Sequence, residues 1–144
     1  QGEFRISTDK AELDVALIHR YLCYESYWAR NIPRALVEKS IAGSICFGVY
    51  HHNRQVGFAR VITDQATFAY LADVFILETY RGRGLSKWLM QTIMDEPGLQ
   101  GLRRWLLATL DAHGLYAQFG FAALDKPERI MGMKPFDEYP ALNS

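Results

Sequence analysis

Arginine and glycine alternate over Arg81-Gly82-Arg83-Gly84, and Leu85 and Ser86 follow at the start of a helical pattern that sets Leu85, Trp88, Leu89 and Ile93 on one face. Glycine permits a tight backbone bend, and the first turn of a helix leaves N–H groups unpaired at the positive end of its dipole. Such a passage can cradle an anion, a pyrophosphate for example, on backbone amides, with Arg81 and Arg83 adding charge-assisted contacts. It is not a nucleotide triphosphate loop, which needs Lys and Ser/Thr after its last glycine, nor a dinucleotide fingerprint of three spaced glycines. Arg-Gly-Arg-Gly also occurs in RNA-binding tails, but those are repetitive and disordered, whereas this one stands once, between an apolar strand and an amphipathic helix.

A cradle of this kind must be held by a sheet. Residues 67–77 alternate at Phe68, Tyr70 and Ala72 and then run continuously apolar through Val74-Phe75-Ile76-Leu77, the pattern of a strand that becomes buried on both faces near Asp73. Ahead of it the pattern predicts a strand over 4–7. A helix follows, opened by Asp9 and Glu12 as a capping pair, with Leu13, Ala16, Leu17 and Tyr21 on its apolar face. An aromatic-rich bend leads to a second helix over 34–42. Strands over 44–50 and 55–63 are joined by His51-His52-Asn53-Arg54, and Asp64-Gln65-Ala66 turns into the next strand. Beyond the cradle helix come a strand over 102–108, a short helix over 111–118 closed by Gly120, and two strands over 121–124 and 130–134. The expected fold is α/β, a mixed and largely antiparallel sheet of about seven strands with helices on both faces.

Composition narrows the function classes. A chain of 144 residues suits one domain with one core. Sixteen basic and sixteen acidic side chains cancel, so no global field attracts nucleic acid or an anionic membrane, and neither is an expected partner. No apolar run reaches the ~20 residues of a membrane span. Cys23 and Cys46 lie in apolar stretches without CxxC spacing, as buried thiols of a reducing compartment do, and the cytoplasm is the expected location. His51 and His52 fall at a hairpin tip and His113 on a helix surface; with no third ligand in sight, no metal is expected.

Two motifs resemble those of the GCN5-related N-acetyltransferases. Arg81, Gly84 and Ser86 fill the family's pattern of Arg or Gln, two residues, Gly, one residue, Gly or Ala, with Ser86 a small departure. Ala112 to Phe121, Ala-His-Gly-Leu-Tyr-Ala-Gln-Phe-Gly-Phe, is similar to the family's late helix ending in Leu-Tyr and, two residues on, Phe/Leu-Gly-Phe. The resemblance implies one N-acetyltransferase domain over 1–144 that passes an acetyl group directly from acetyl-coenzyme A, its acyl-donor substrate, to a small acceptor amine. It implies that the backbone of Val74, Phe75 and Ile76 pairs with the pantetheine arm and that Arg81, Gly82, Arg83, Gly84, Leu85 and Ser86 hold the pyrophosphate. Tyr116 would protonate the departing thiolate, and Thr109 stands where relatives often carry a cofactor-contacting Asn.

Transfer to an amine also needs a base. Asp73, just before the cofactor strand, is placed for that, directly or through water, with Glu78 as the weaker candidate. Tyr24, Ser26, Tyr27 and Trp28, in the bend between the first two helices, offer an aromatic acceptor wall with a hydroxyl. A homodimer is a common arrangement for such an enzyme. The rival reading is a non-catalytic acyl-coenzyme A sensor, which would keep the cradle and have no use for Tyr116.

Overall fold

In the computed structural model, residues 2–141 are described. The elements in chain order are β1 (Phe4–Ser7), α1 (Val15–Tyr24), α2 (Arg34–Ala42), β2 (Ile45–His51), β3 (Arg54–Thr63), β4 (Phe68–Ile76), α3 (Leu85–Met94), β5 (Arg104–Leu107) and α4 (His113–Ala117). The sheet order is β1-β2-β3-β4-β5. Neighbours run antiparallel except β4 and β5, which are parallel because the chain crosses over through α3.

The period-two alternation of the strands feeds two cores, one on each face. Cys46, Phe58 and Phe75 point to one side, where Ile18, Leu22, Val37 and Ile41 of α1 and α2 cover them. Phe47, Ala59, Val61, Leu71 and Ile76 point to the other, against Leu85, Leu89, Met90 and Ile93 of α3. Helices on both faces are therefore as the sequence predicts. Cys23 and Cys46 are free and buried, and burial pushes the Cys46 thiol up to about 11, so it stays protonated and inert.

Three features differ from the sequence reading. The first helix starts at Val15 with Asp14 as its N-cap, while Asp9 caps a separate 3-10 turn over Lys10–Glu12 and Glu12 pairs instead with Arg5 at 2.7 Å. The sheet has five strands rather than seven among the described residues. Residues 121–124 and 130–134 are not strands: a 3-10 turn at Pro127–Arg129 interrupts them, and in the second stretch Met131 and Met133 stay 94% and 89% exposed. Gly132 between them weakens the stretch as a strand, since glycine has no side chain to pack on a pleated surface. The fifth strand and last helix are also shorter than expected.

Buried polar groups lock the α1 and β3 termini together. The Gln55 side chain, 2% exposed, accepts from the Asp14 N–H at 2.7 Å and donates to the Gly57 carbonyl at 3.0 Å. In the same sheet, Gly48 is required by a close approach. A Cβ there would lie 2.5 Å from the Tyr50 hydroxyl and 2.7 Å from its ring carbon Cζ. The Tyr50 ring is fully buried and cannot swing aside, so Gly48→Ala is expected to destabilise the protein by about 1–3 kcal/mol. Thermal or urea unfolding of the single variant measures this, and an unchanged midpoint would show that the Tyr50 ring yields.

Candidate active site

The site is built where β4 stops following β5. The two strands pair from Phe68 opposite Arg104 to Leu71 opposite Leu107, and there the ladder ends. On its other edge β4 continues to pair with β3 as far as Ile76 opposite Gly57, but with one extra residue: Ala72 faces Arg60 and Phe75 faces Phe58, so Asp73 and Val74 together oppose Ala59. Asp73 takes φ +55°, a left-handed conformation uncommon for a residue other than glycine. This bulge bends β4 away from β5 and opens a cleft of about 840 Å³.

Asp73, Val74, Tyr27, Trp28, Thr109 and Tyr116 all line that cleft. One Asp73 oxygen, Oδ1, accepts the Trp28 indole N–H at 2.8 Å, and Oδ2 accepts Arg60 Nε at 2.8 Å. The Arg60 and Asp73 side chains are 15% and 9% exposed, so the pair is largely removed from water. Arg60 also donates to Ser44 Oγ at 3.1 Å. Sequence reading passes over Arg60, although a charge at an inward position of an otherwise apolar strand is the signal that a buried carboxylate faces it.

The aromatic bend divides. Trp28 and Tyr27 face the cleft, packed edge to face at 5.0 Å. The Tyr27 hydroxyl accepts the Leu110 N–H at 2.9 Å, tying the bend to the segment after β5. Ser26 is 1% exposed, with its hydroxyl donating to the Leu22 carbonyl at 2.6 Å and accepting the Ala29 N–H at 3.0 Å; its polar capacity is spent on shaping the bend. Tyr24 is 58% exposed and does not line the cleft.

Across the cleft, Thr109 Oγ1 accepts the Ala112 N–H at 3.1 Å and so opens the turn into α4. Tyr116 on α4 is 8% exposed. Burial, then the charges that Tyr27 and Asp111 bear when ionised, push its phenol above the ordinary value of 10, so it carries its proton throughout the neutral range.

From the cleft, β4 leads through a 3-10 turn at Glu78–Tyr80, where Glu78 is exposed, into the glycine loop. Gly82 and Gly84 have φ of +81° and +79°, and a Cβ on either would meet nothing within 4 Å, so the space before them is open to a ligand. Gly84 is the N-cap of α3, and no side chain caps the first turn, whose N–H groups point outward. Leu85 is buried and anchors the helix, while Ser86 lies beside the open turn. Arg81 turns back: its Nε donates to the Ile76 carbonyl at 2.9 Å and an Nη to the Tyr21 hydroxyl at 3.0 Å. Arg83 lies over the Tyr80 ring at 5.5 Å. The loop thus offers backbone amides first. Its open glycines and uncapped helix fit a diphosphate, and the strand edge at Val74, Phe75 and Ile76, past the end of the β5 ladder, fits an amide-bearing arm.

The acetyltransferase (GNAT) family profile matches residues 16–121, which span the whole of this arrangement. The chain belongs to the GNAT family. A Gibberella zeae protein with a provisional acetyltransferase name is 32% identical, over 99% of this chain and 85% of its own length. A GNAT-family crystal structure from Xanthomonas campestris pv. campestris, also provisionally an acetyltransferase, superposes with a TM-score of 0.90 at 54% identity, covering 91% of this chain and 92% of the other. A GNAT acetyltransferase from Elizabethkingia anophelis, solved with acetyl-CoA bound, shares the fold at a TM-score of 0.65 and 12% identity, over 87% and 80% of the two chains. No described helix is long and apolar enough to cross a membrane.

Because the Arg60–Asp73 ion pair in the cleft is largely removed from water, removing one member leaves the other charge buried. Arg60→Met is expected to cost about 3 kcal/mol, and Arg60→Met with Asp73→Ala less than the sum of the two single changes. A double-mutant cycle by urea denaturation measures the coupling. Additive losses would show that the pair does not hold the bulge.

Proposed function

We propose that the chain, over residues 1–144, is one cytoplasmic N-acetyltransferase domain that takes acetyl-coenzyme A as donor and a small-molecule amine as acceptor, with a homodimer as a compatible assembly. The observation that carries the reading is the parting of β4 from β5 at Leu71, which leaves an edge with no strand partner, and with Arg81 on the Ile76 carbonyl, between the cleft and an uncapped, glycine-opened helix start. The donor's binding to the Elizabethkingia anophelis relative of the same fold supports it.

In this proposal the backbone amides of Gly82, Arg83, Gly84, Leu85 and Ser86 bind the pyrophosphate, and Arg81 braces the loop against Ile76 and Tyr21 while Arg83 adds charge. The backbone of Val74, Phe75 and Ile76 pairs with the pantetheine amides, and Thr109 contributes its hydroxyl side of the cleft. Acetyl-coenzyme A supplies an activated thioester carbonyl. Tyr116, kept protonated by burial, holds the proton that the sulfur requires on leaving. Asp73 uses one acceptor site of each oxygen on Trp28 and Arg60 and keeps a second lone pair on each, enough to receive the acceptor's proton through one water. Trp28 and Tyr27 present the aromatic faces on which a cationic or flat acceptor rests.

Calorimetric titration with acetyl-coenzyme A is the direct test. Wild type is expected to bind one equivalent and Gly84→Glu, which fills the cradle with a bulky anion, to bind none while keeping its circular dichroism; a wild type that does not bind sinks the proposal. Tyr116→Phe is expected to lower kcat on an amine panel by about 10²–10⁴-fold with donor affinity unchanged, and Asp73→Asn, which also loosens the Arg60 pair, to lower kcat by a similar factor. Because the raised Tyr116 pKa keeps the acid form present as pH rises, wild-type rate should climb as the acceptor deprotonates and fall only above pH 10, a fall that Tyr116→Phe should lack. Retained donor binding with no turnover on any amine would instead favour the sensor reading.

A further inference from the structure

The tip of the β2–β3 hairpin carries an arrangement that acetyl transfer does not use. β1 runs antiparallel to β2 with Phe4 opposite His51, and the His52 N–H donates to the Glu3 carbonyl at 3.1 Å. This register brings the Glu3 carboxylate to both imidazoles. His51 Nε2 lies 2.9 Å and His52 Nε2 3.4 Å from the same oxygen, Glu3 Oε1. The three ligand atoms all fall within 4.8 Å of one another. Bonds of about 2.0–2.1 Å in a tetrahedral zinc site place ligand atoms roughly 3.3 Å apart, a spacing close to the 2.9 and 3.4 Å found between the imidazole nitrogens and the carboxylate oxygen.

We propose that Glu3, His51 and His52 form a binding site for a divalent transition-metal ion of the zinc class, with a fourth position open to water. Two imidazoles and a carboxylate are a ligand set that suits such an ion, and hard cations such as magnesium prefer oxygen ligands. The first of the imidazoles is already oriented. His51 Nδ1 is 3.3 Å from the Tyr80 hydroxyl, and the ring stacks on Phe4 at 4.7 Å, so Nε2 is turned toward Glu3. With a metal on Nε2, the ring proton sits on Nδ1 and is donated to Tyr80, an outer partner of the kind that fixes a metal-bound histidine.

Neighbouring chemistry agrees. Glu3 Oε1 faces both imidazoles from an exposed position, so the carboxylate and the rings can turn onto one ion. The His52 ring is 70% and Glu3 53% exposed, which leaves the site open to an ion from solvent. Arg83 works modestly against a cation, and it reaches the neighbourhood by lying over the same Tyr80 ring. Through Tyr80 the site stands beside the glycine loop.

The test is isothermal titration of the metal-free protein with zinc chloride in a non-chelating buffer at neutral pH. One ion per chain is expected. Glu3→Gln and His52→Gln, both at exposed positions where the fold tolerates change, should each weaken binding at least about tenfold, and His113→Gln on α4 should leave it unchanged. Absence of a one-to-one isotherm in wild type, or binding that survives both substitutions, overturns the assignment. Donor binding measured on the same samples separates this result from the acetyltransferase reading, since neither Glu3 nor His52 belongs to the cleft.

Discussion

The bulge at Asp73 is the constraint on which the rest of the site depends. A strand paired along both edges has no opening for a ligand. β4 needs β3 throughout and β5 only at its start, and the extra residue at 73 is what lets one strand satisfy both demands. A left-handed non-glycine residue costs roughly 1–2 kcal/mol, and the Arg60 and Trp28 contacts hold it in place. The same carboxylate therefore shapes the cleft and faces into it.

That arrangement also explains why the bend after α1 is built as it is. Trp28 can reach Asp73 only if the chain leaves α1 abruptly, and Ser26 produces this by closing hydrogen bonds to Leu22 and Ala29 inside the protein. Tyr27 then bridges to Leu110, so the two walls of the cleft are joined at one end by a hydrogen bond rather than by packing alone. Tyr21, one turn earlier in α1, stacks on Phe75 at 4.0 Å and accepts from Arg81. The helix and the bend that follows it thereby touch the strand edge, the glycine loop and the cleft.

Much of this was legible from residue order. The change from alternating to continuous apolar residues at Asp73 marks where β4 sinks between two helical layers, and the Gly82–Gly84 spacing before an amphipathic run marks the helix start. Asp73, Val74, Trp28, Tyr27, Thr109 and Tyr116, read from sequence, do converge on one cleft. What could not be read depends on contacts distant in sequence. Ser26 and Tyr24 share the aromatic segment with Trp28, and only the helix's exit angle turns one inward and the other out to solvent. Arg60 becomes meaningful once β3 and β4 are in register, and Glu3 once β1 lies against β2. The two missing strands had the right composition, but the Pro127–Arg129 turn lies between them, Gly132 breaks the second, and neither pairs with β5 among the described residues.

The remaining argument concerns the strand edge itself. Buried backbone N–H and C=O groups are nearly always paired, because leaving one dry and unsatisfied costs as much as a lost hydrogen bond. Past Leu71 the β5 side of β4 lacks a strand partner among the described residues, although Phe75 and Ile76 are each only 4% exposed. A strand edge without a strand partner invites pairing with an extended chain that fits. Here the edge is flanked by the bulge, by the Tyr27 bridge to Leu110 and by Tyr116 of α4. In the proposed reading, an amide-bearing arm would satisfy the edge and run toward the loop where Gly84 opens α3. On that reading, the preference for an anion-tailed ligand with amides in its arm rests on one strand and the loop it runs into.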